Sequence, residues 1–281
     1  ENNIATANDG MVVSAHPLAS EVGLDVLNQG GNAVDAAIAM QYALTVTEPM
    51  MSGIGGGGFM MVYDANTEET TIINSRERAP AGAEPDMFLK DDGEAMEFED
   101  RVIHGNSVGV PGTPAGLQTS HDMWGTIAMP ELIAPAISFA EEGFPIDDFM
   151  AYQIEENAEK LDRSAASEVF FNEDAPLAEG DMLVQEDLAY TLSMISENGT
   201  DYFYNGEIAD ALADTVQEFE GSMTKEDMMN YDVTVDEPVW GQYKDYDIAT
   251  MPPPSSGGIF LLQMLGILDG FDLSQYDIQS V

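Results

Sequence analysis

The chain has 281 residues, no cysteine, and 52 Asp and Glu against eight Lys and Arg, for a net charge of −44. The missing cysteines exclude disulfides, thiolate metal sites and a cysteine nucleophile, and without a basic patch a nucleic-acid partner is excluded too. With 44% hydrophobic residues the chain can still bury a large core, so the acidity reads as a surface built for molar salt, where a Debye length of about 3 Å screens self-repulsion; the alternatives are a basic partner or a calcium-loaded surface.

In chain order, Gly10–Ala15 predicts a short strand that His16-Pro17 breaks. A first helix is expected over Ala19–Gln29, with Val22, Leu24, Val26 and Leu27 supplying much of its apolar surface and Gly30-Gly31 ending it. Asn32 can cap a second helix over Ala33–Val46, which is apolar nearly all round and therefore expected to be buried. The Gly53–Gly58 run follows, then strands over Phe59–Tyr63 and Thr70–Ile73 joined by a polar turn. Asp91–Asp100 reads as an acidic loop and Ala115–Trp124 as a helix. Helical patterns dominate from Met129 to about Phe219, interrupted near Gly143-Phe144-Pro145 and Ala175-Pro176. A strand over Tyr246–Thr250 and a final apolar helix over Ile259–Leu268 complete the pattern. No internal repeat or linker divides the chain, so residues 1–281 read as a single mixed α/β or α+β domain. No apolar run approaches the ~20 residues needed to span a bilayer. Glu1-Asn2-Asn3 suits a mature N-terminus left by a removed signal peptide.

The motifs separate on local context. Gly53-Ile54-Gly55-Gly56-Gly57-Gly58 matches G-x-G-x-x-G, but it follows a helix and precedes a strand, the reverse of the dinucleotide fingerprint. A close-packed loop is the better reading. Ser255-Ser256-Gly257-Gly258 lacks the G-x-S-x-G of a nucleophile elbow and reads as a helix cap. His16, His104 and His121 are not spaced as a metal pair. The Asp91–Asp100 run lacks the alternating ligands and central glycine of a calcium loop. Asn198-Gly199-Thr200 fits a glycosylation acceptor.

The arginines are the strongest signal. Two of only four, Arg76 and Arg78, fall in Asn74-Ser75-Arg76-Glu77-Arg78-Ala79-Pro80. Guanidinium is a permanently charged fork that matches a carboxylate in bidentate fashion. In a chain so depleted of cations this points to a site for a small substrate's acidic group; the competing reading is a structural ion pair with one of the many carboxylates. The residues alone offer no nucleophile and no acid/base pair.

Six segments in order resemble the γ-glutamyltranspeptidase family, most closely its bacillus type: Ser14–Ser20, Gly30–Ala37, Glu48-Pro49 with Ser52–Phe59, Arg76–Pro80, Gly109–Gly112 and Pro252–Gly258. The resemblance implies an N-terminal-nucleophile hydrolase, an α+β fold built as an αββα sandwich, of which this chain is most of the large subunit. It implies that the precursor cuts itself and that the small subunit carries the catalytic threonine, so no catalytic residue and no cofactor or metal is expected in this chain. It implies cleavage of γ-glutamyl amides such as glutathione, with transfer to water, amino acids or peptides. Arg76 matches the family arginine that holds the substrate's α-carboxylate, and Arg78 falls at a variable position and is expected to be structural or supporting. The Thr-Thr-His type processing site is absent, so a separate small subunit is the expected partner, outside the cytoplasm, in an enzyme of a halophile. The alternatives are a poly-γ-glutamate transpeptidase, a β-lactam acylase, or a non-catalytic acidic cation-binding protein.

Overall fold

The computed structural model describes residues 4–173 and 175–276. Glu1-Asn2-Asn3, read above as a mature N-terminus, lies outside them.

Helix α1 spans Pro17–Asn28. Pro17 sits at its first position, where the missing N–H costs nothing, and His16 caps it by accepting from the Leu18 N–H through Nδ1 at 3.2 Å. His16-Pro17 thus begins the helix rather than merely ending the segment before it. That segment, Gly10–Ala15, is not a strand: it has no ladder partner, and Val13 is 79% exposed. Its β-favouring residues have no neighbouring strand to pair with among the described residues. Leu24 also faces solvent, so the buried stripe of α1 is Ala19, Val22, Gly23 and Val26.

Helix α2, Ala33–Thr47, is the central element. The Asn32 side chain accepts from the Val34 and Asp35 N–H groups, and Asp35 accepts from the Asn32 N–H, closing a capping box. Its apolar surface is covered on several sides, by α1, by the helix Met129–Glu142 and by the helix Thr113–Trp124. Ile38, Ala39, Tyr42, Ala43 and Val46 are buried. Asp35 is buried as well and reaches beyond its own helix, accepting from the Thr126 N–H at 2.9 Å, the Thr126 hydroxyl at 2.5 Å and the Ile127 N–H at 3.3 Å. The helices Met129–Glu142, Glu186–Asn198 and Glu207–Glu218 extend the core through Leu132, Ile133, Leu192, Ile195 and Ala209. At the expected interruptions the chain forms two-residue strands, Phe144–Pro145 paired with Met182–Leu183 and Ala175–Pro176 paired with Phe171–Asn172.

Strands β1, Gly58–Asp64, and β2, Glu69–Ser75, form an antiparallel hairpin with Met60 opposite Ile73. A third strand, Thr234–Asp236, pairs antiparallel with β2, placing Thr234 opposite Asn74. It has no apolar alternation, which is why periodicity does not predict it. The helix Thr113–Trp124 packs on β1 and β2 on the face that carries Ile73 and Ser75, so the fold is α+β, with helices against the sheet. The strand Tyr246–Thr250 forms as expected, paired with Val239–Tyr243. The final helix, Gly257–Leu268, is apolar but not buried: Phe260, Met264 and Ile267 are each more than half exposed. Ser256 precedes it without a side-chain capping bond, against the expectation from sequence. No helix among the described residues is long and apolar enough to cross a membrane.

Candidate functional site

Strand β2 ends at Ser75 and delivers Arg76, Glu77 and Arg78 to the surface, all exposed. What holds this short segment is backbone packing from two glycine-bearing loops. Gly57 lies so close that a β-carbon there would overlap the Ser75 carbonyl oxygen and sit 2.8 Å from the Glu77 nitrogen. On the other side, a β-carbon on Gly109 would lie 2.8 Å from the Glu77 β-carbon, and one on Gly112 would overlap the Ser75 carbonyl oxygen. The two loops are tied to each other: the Gly112 and Thr113 N–H groups donate to the Gly56 carbonyl at 2.9 and 3.1 Å. A backbone bridge links Arg78 and Val110, with bonds of 3.3 and 2.8 Å. The expectation of a close-packed glycine loop is therefore met at Gly57, and its partner is the arginine segment.

Side chains complete the clasp. Asn74 Oδ1 accepts from the Arg76 N–H at 3.3 Å, and Asn74 Nδ2 donates to Asp236 at 3.2 Å. The Tyr231 hydroxyl donates to the Arg76 carbonyl at 2.9 Å. Asp227 accepts from the Ala81 N–H at 2.7 Å. Burial works against the Asp227 charge, but bonds from Ala81 and Thr224 outweigh it and lower its pKa. Burial lifts the Tyr231 hydroxyl to about 12 against the pull of Arg78, so it stays protonated and donates.

The cations differ in how they are paired. Lys90 pairs with Glu97, Arg163 with Glu159 and Lys225 with Asp210. Among the described residues, Arg76 and Arg78 have no carboxylate within 4 Å, although the chain carries 52 acidic residues. Neither forms an ion pair among the described residues. Arg78 instead lies over the Tyr231 ring, 5.5 Å from its centroid, a cation–π contact worth about 0.5–1 kcal/mol when exposed. Arg76 has no such partner.

A polar cleft of about 450 Å³ abuts the segment, bordered by Gln41, Ser52, Gly53, Gly57, Glu77 and Thr113. An apolar cleft of about 360 Å³ lies across Gly57 and Thr113, lined by Met40, Phe59, Met61 and Leu117. The histidines serve locally: His16 caps helix α1, His104 caps the short helical turn Gly105–Ser107, and Nε2 of His121 bonds the Ile127 carbonyl. Among the described residues no His, Asp and Glu group is arranged to hold a metal ion. Sequence reasoning reached Arg76 but missed Tyr231, Asp227 and Asn74. Only the spacing of glycines around the segment hinted at how tightly it is gripped.

The chain is similar to known proteins over nearly its whole length. The γ-glutamyltranspeptidase family model matches residues 19–281. The glutathione hydrolase proenzyme of Bacillus subtilis strain 168 is 62% identical over 277 residues, 99% of this chain and 47% of that protein. The glutathione hydrolase proenzyme of Escherichia coli K12 is 42% identical over 98% of the chain and 47% of its own length. The solved structure of Helicobacter pylori γ-glutamyltranspeptidase superposes with a TM-score of 0.94 at 39% identity, covering 99% of this chain and 79% of that one. The chain spans about half the length of the curated relatives it matches.

Proposed function

The chain belongs to the γ-glutamyltranspeptidase family, and on that premise we propose that it is the large-subunit part of an enzyme that cleaves γ-glutamyl amides such as glutathione and passes the γ-glutamyl group to water, an amino acid or a peptide. The single observation that carries this reading is the state of Arg76: exposed at the end of β2, clasped through its backbone, and free of any carboxylate among the described residues. A rigidly mounted, unpaired guanidinium suits the α-carboxylate of a γ-glutamyl group. That contact is made equally in the ground and transition states, so its role is binding and orientation rather than bond cleavage.

The chemistry needs a nucleophile that this segment does not hold. A threonine whose own α-amine acts as base would attack the γ-carbonyl, expel the amine and form an acyl-enzyme, which water or an acceptor amine resolves. We place that threonine on a small subunit cut from the same precursor, in keeping with relatives named as proenzymes. The surface supports such a partner. Strand β1 is the edge of its sheet, and Phe260, Met264, Ile267 and Phe271 stand exposed at the C-terminal helix. A contiguous apolar helix of this kind marks a surface that another chain covers.

On this reading residues 1–281 act as one domain, in a salt-adapted enzyme that works outside the cytoplasm. The −44 net charge supports the salt adaptation. The test is intact mass and N-terminal sequencing of the natively produced protein, with an assay on a γ-glutamyl anilide. A companion chain beginning with Thr and release of the aniline support the reading. No turnover by the completed protein would reject it. Substrate profiling separates the proposal from poly-γ-glutamate transfer and β-lactam deacylation, which differ in what lies beyond the amide.

A further inference from the structure

We propose that Tyr231 is a positioning residue that sets the orientation of Arg76, with Tyr204 as its foundation; the inference rests on the reading of Arg76 as the carboxylate anchor. Arg76 lies one residue past the end of β2, where no ladder partner holds it. The antiparallel register that sets Asn74 opposite Thr234 also brings the residues just before Thr234 alongside Arg76. Tyr231 uses that placement: its hydroxyl donates to the Arg76 carbonyl at 2.9 Å, joining points 155 residues apart.

The phenol is itself fixed. Its ring stacks on Tyr204 with centroids 5.7 Å apart and planes 8° from parallel. Tyr204 is buried and doubly anchored: its hydroxyl donates to the Pro111 carbonyl at 3.0 Å and accepts from the Ala115 N–H at 3.2 Å. The Arg78 guanidinium covers the Tyr231 ring at 5.5 Å. Gly112 leaves the room: a β-carbon there would overlap both the Tyr231 hydroxyl and the Ser75 carbonyl oxygen. The helix Thr113–Trp124 and the Gly109–Gly112 turn thereby anchor Tyr204, which stacks on the tyrosine bonded to the Arg76 carbonyl. Arg78, expected to be structural or supporting, stacks on the tyrosine that holds its neighbour. A peptide unit fixed at its oxygen can rotate little about φ and ψ, so the Arg76 side chain leaves the backbone in one direction.

The experiment compares wild type, Tyr231→Phe and Arg76→Ala in the complete, processed two-chain enzyme. Each is assayed with a γ-glutamyl anilide and with a 4-aminobutyryl anilide, the same amide without the α-carboxylate. Tyr231→Phe keeps the ring, the stack and the Arg78 contact and removes only the hydroxyl. We expect KM for the γ-glutamyl anilide to rise roughly five-fold with kcat near wild type, as for loss of one neutral hydrogen bond. We expect the 4-aminobutyryl anilide to be handled alike by wild type and Tyr231→Phe. A KM rise of equal size on both anilides, or none on either, overturns the positioning role, and so does a change confined to kcat. Arg76→Ala keeps the two failures apart. If it abolishes the preference for the carboxylate while Tyr231→Phe changes nothing, the anchor stands and the positioning proposal falls. If Arg76→Ala leaves the preference intact, the anchor reading falls first.

Discussion

Gly112 packs against Ser75 so closely that a single methyl group on Gly112 would overlap the Ser75 carbonyl oxygen. The backbone of Gly112 has φ −117° and ψ −17°, a conformation open to any residue. Its glycine is therefore demanded by contact, not by torsion. Gly112→Ala must push β2's last residue, and Arg76 beyond it, away from the Gly109–Gly112 turn. The expected cost is about 1–3 kcal/mol of stability, as for overpacking elsewhere, measured by chemical denaturation. A variant as stable as wild type would mean that the two loops move freely relative to each other.

Asp35 carries a pH signature. Burial opposes its charge, but the Thr126 hydroxyl and the N–H groups of Thr126, Asn32 and Ile127 outweigh that and lower its pKa. A lowered folded pKa means that the unfolded chain binds the proton more readily. The stabilisation is thus fully present above the ordinary carboxyl value of 3.8 and is lost as pH falls through the folded pKa. Asp35→Asn leaves buried donors poorly matched and is expected to cost about 1–3 kcal/mol at neutral pH. Denaturation of both proteins at neutral pH and near pH 3 checks the sign: the gap is wide at neutral pH and narrows in acid.

Salt provides an independent check on the surface. With 52 acidic residues against eight basic ones, repulsion between carboxylates opposes folding at low ionic strength and is screened at molar salt. The melting temperature is expected to rise between low and molar NaCl. A flat profile would contradict a surface built for salt.

The C-terminal helix tests the partner. Phe260 is 57% and Ile267 66% exposed, on a helix whose main described neighbour is the strand Val239–Tyr243. Phe260→Asp is expected to weaken association with the proposed small subunit while leaving the far-ultraviolet circular dichroism of the chain unchanged. Co-purification yield against wild type reads this directly. Undiminished assembly would place the interface elsewhere.

Much of this was legible from sequence where a local rule decided the outcome. Asn32, three residues before Asp35, closes a capping box, and the Ala-rich run after it is covered on several sides; α2 follows from both. Arg76 stood out because cations are so scarce. The failures share one cause, dependence on distant chain. Gly10–Ala15 has strand residues but no neighbour to pair with. Thr234–Asp236 has no strand pattern and forms because β2 is there to receive it. Tyr231 meets Arg76 across 155 residues, and no spacing rule reaches that far. The apolar helix expected over Ile259–Leu268 forms over Gly257–Leu268, and its apolar face is open among the described residues. Composition reports that a surface needs covering and is silent on what covers it.

The most direct test of the central claim is the KM of the completed enzyme for a γ-glutamyl anilide with Arg76 replaced by Ala. Loss of a charge-assisted contact predicts a rise of roughly ten- to hundred-fold, with kcat little changed and the fold intact. An unchanged KM would contradict the assignment of Arg76 as the residue that holds the substrate's α-carboxylate.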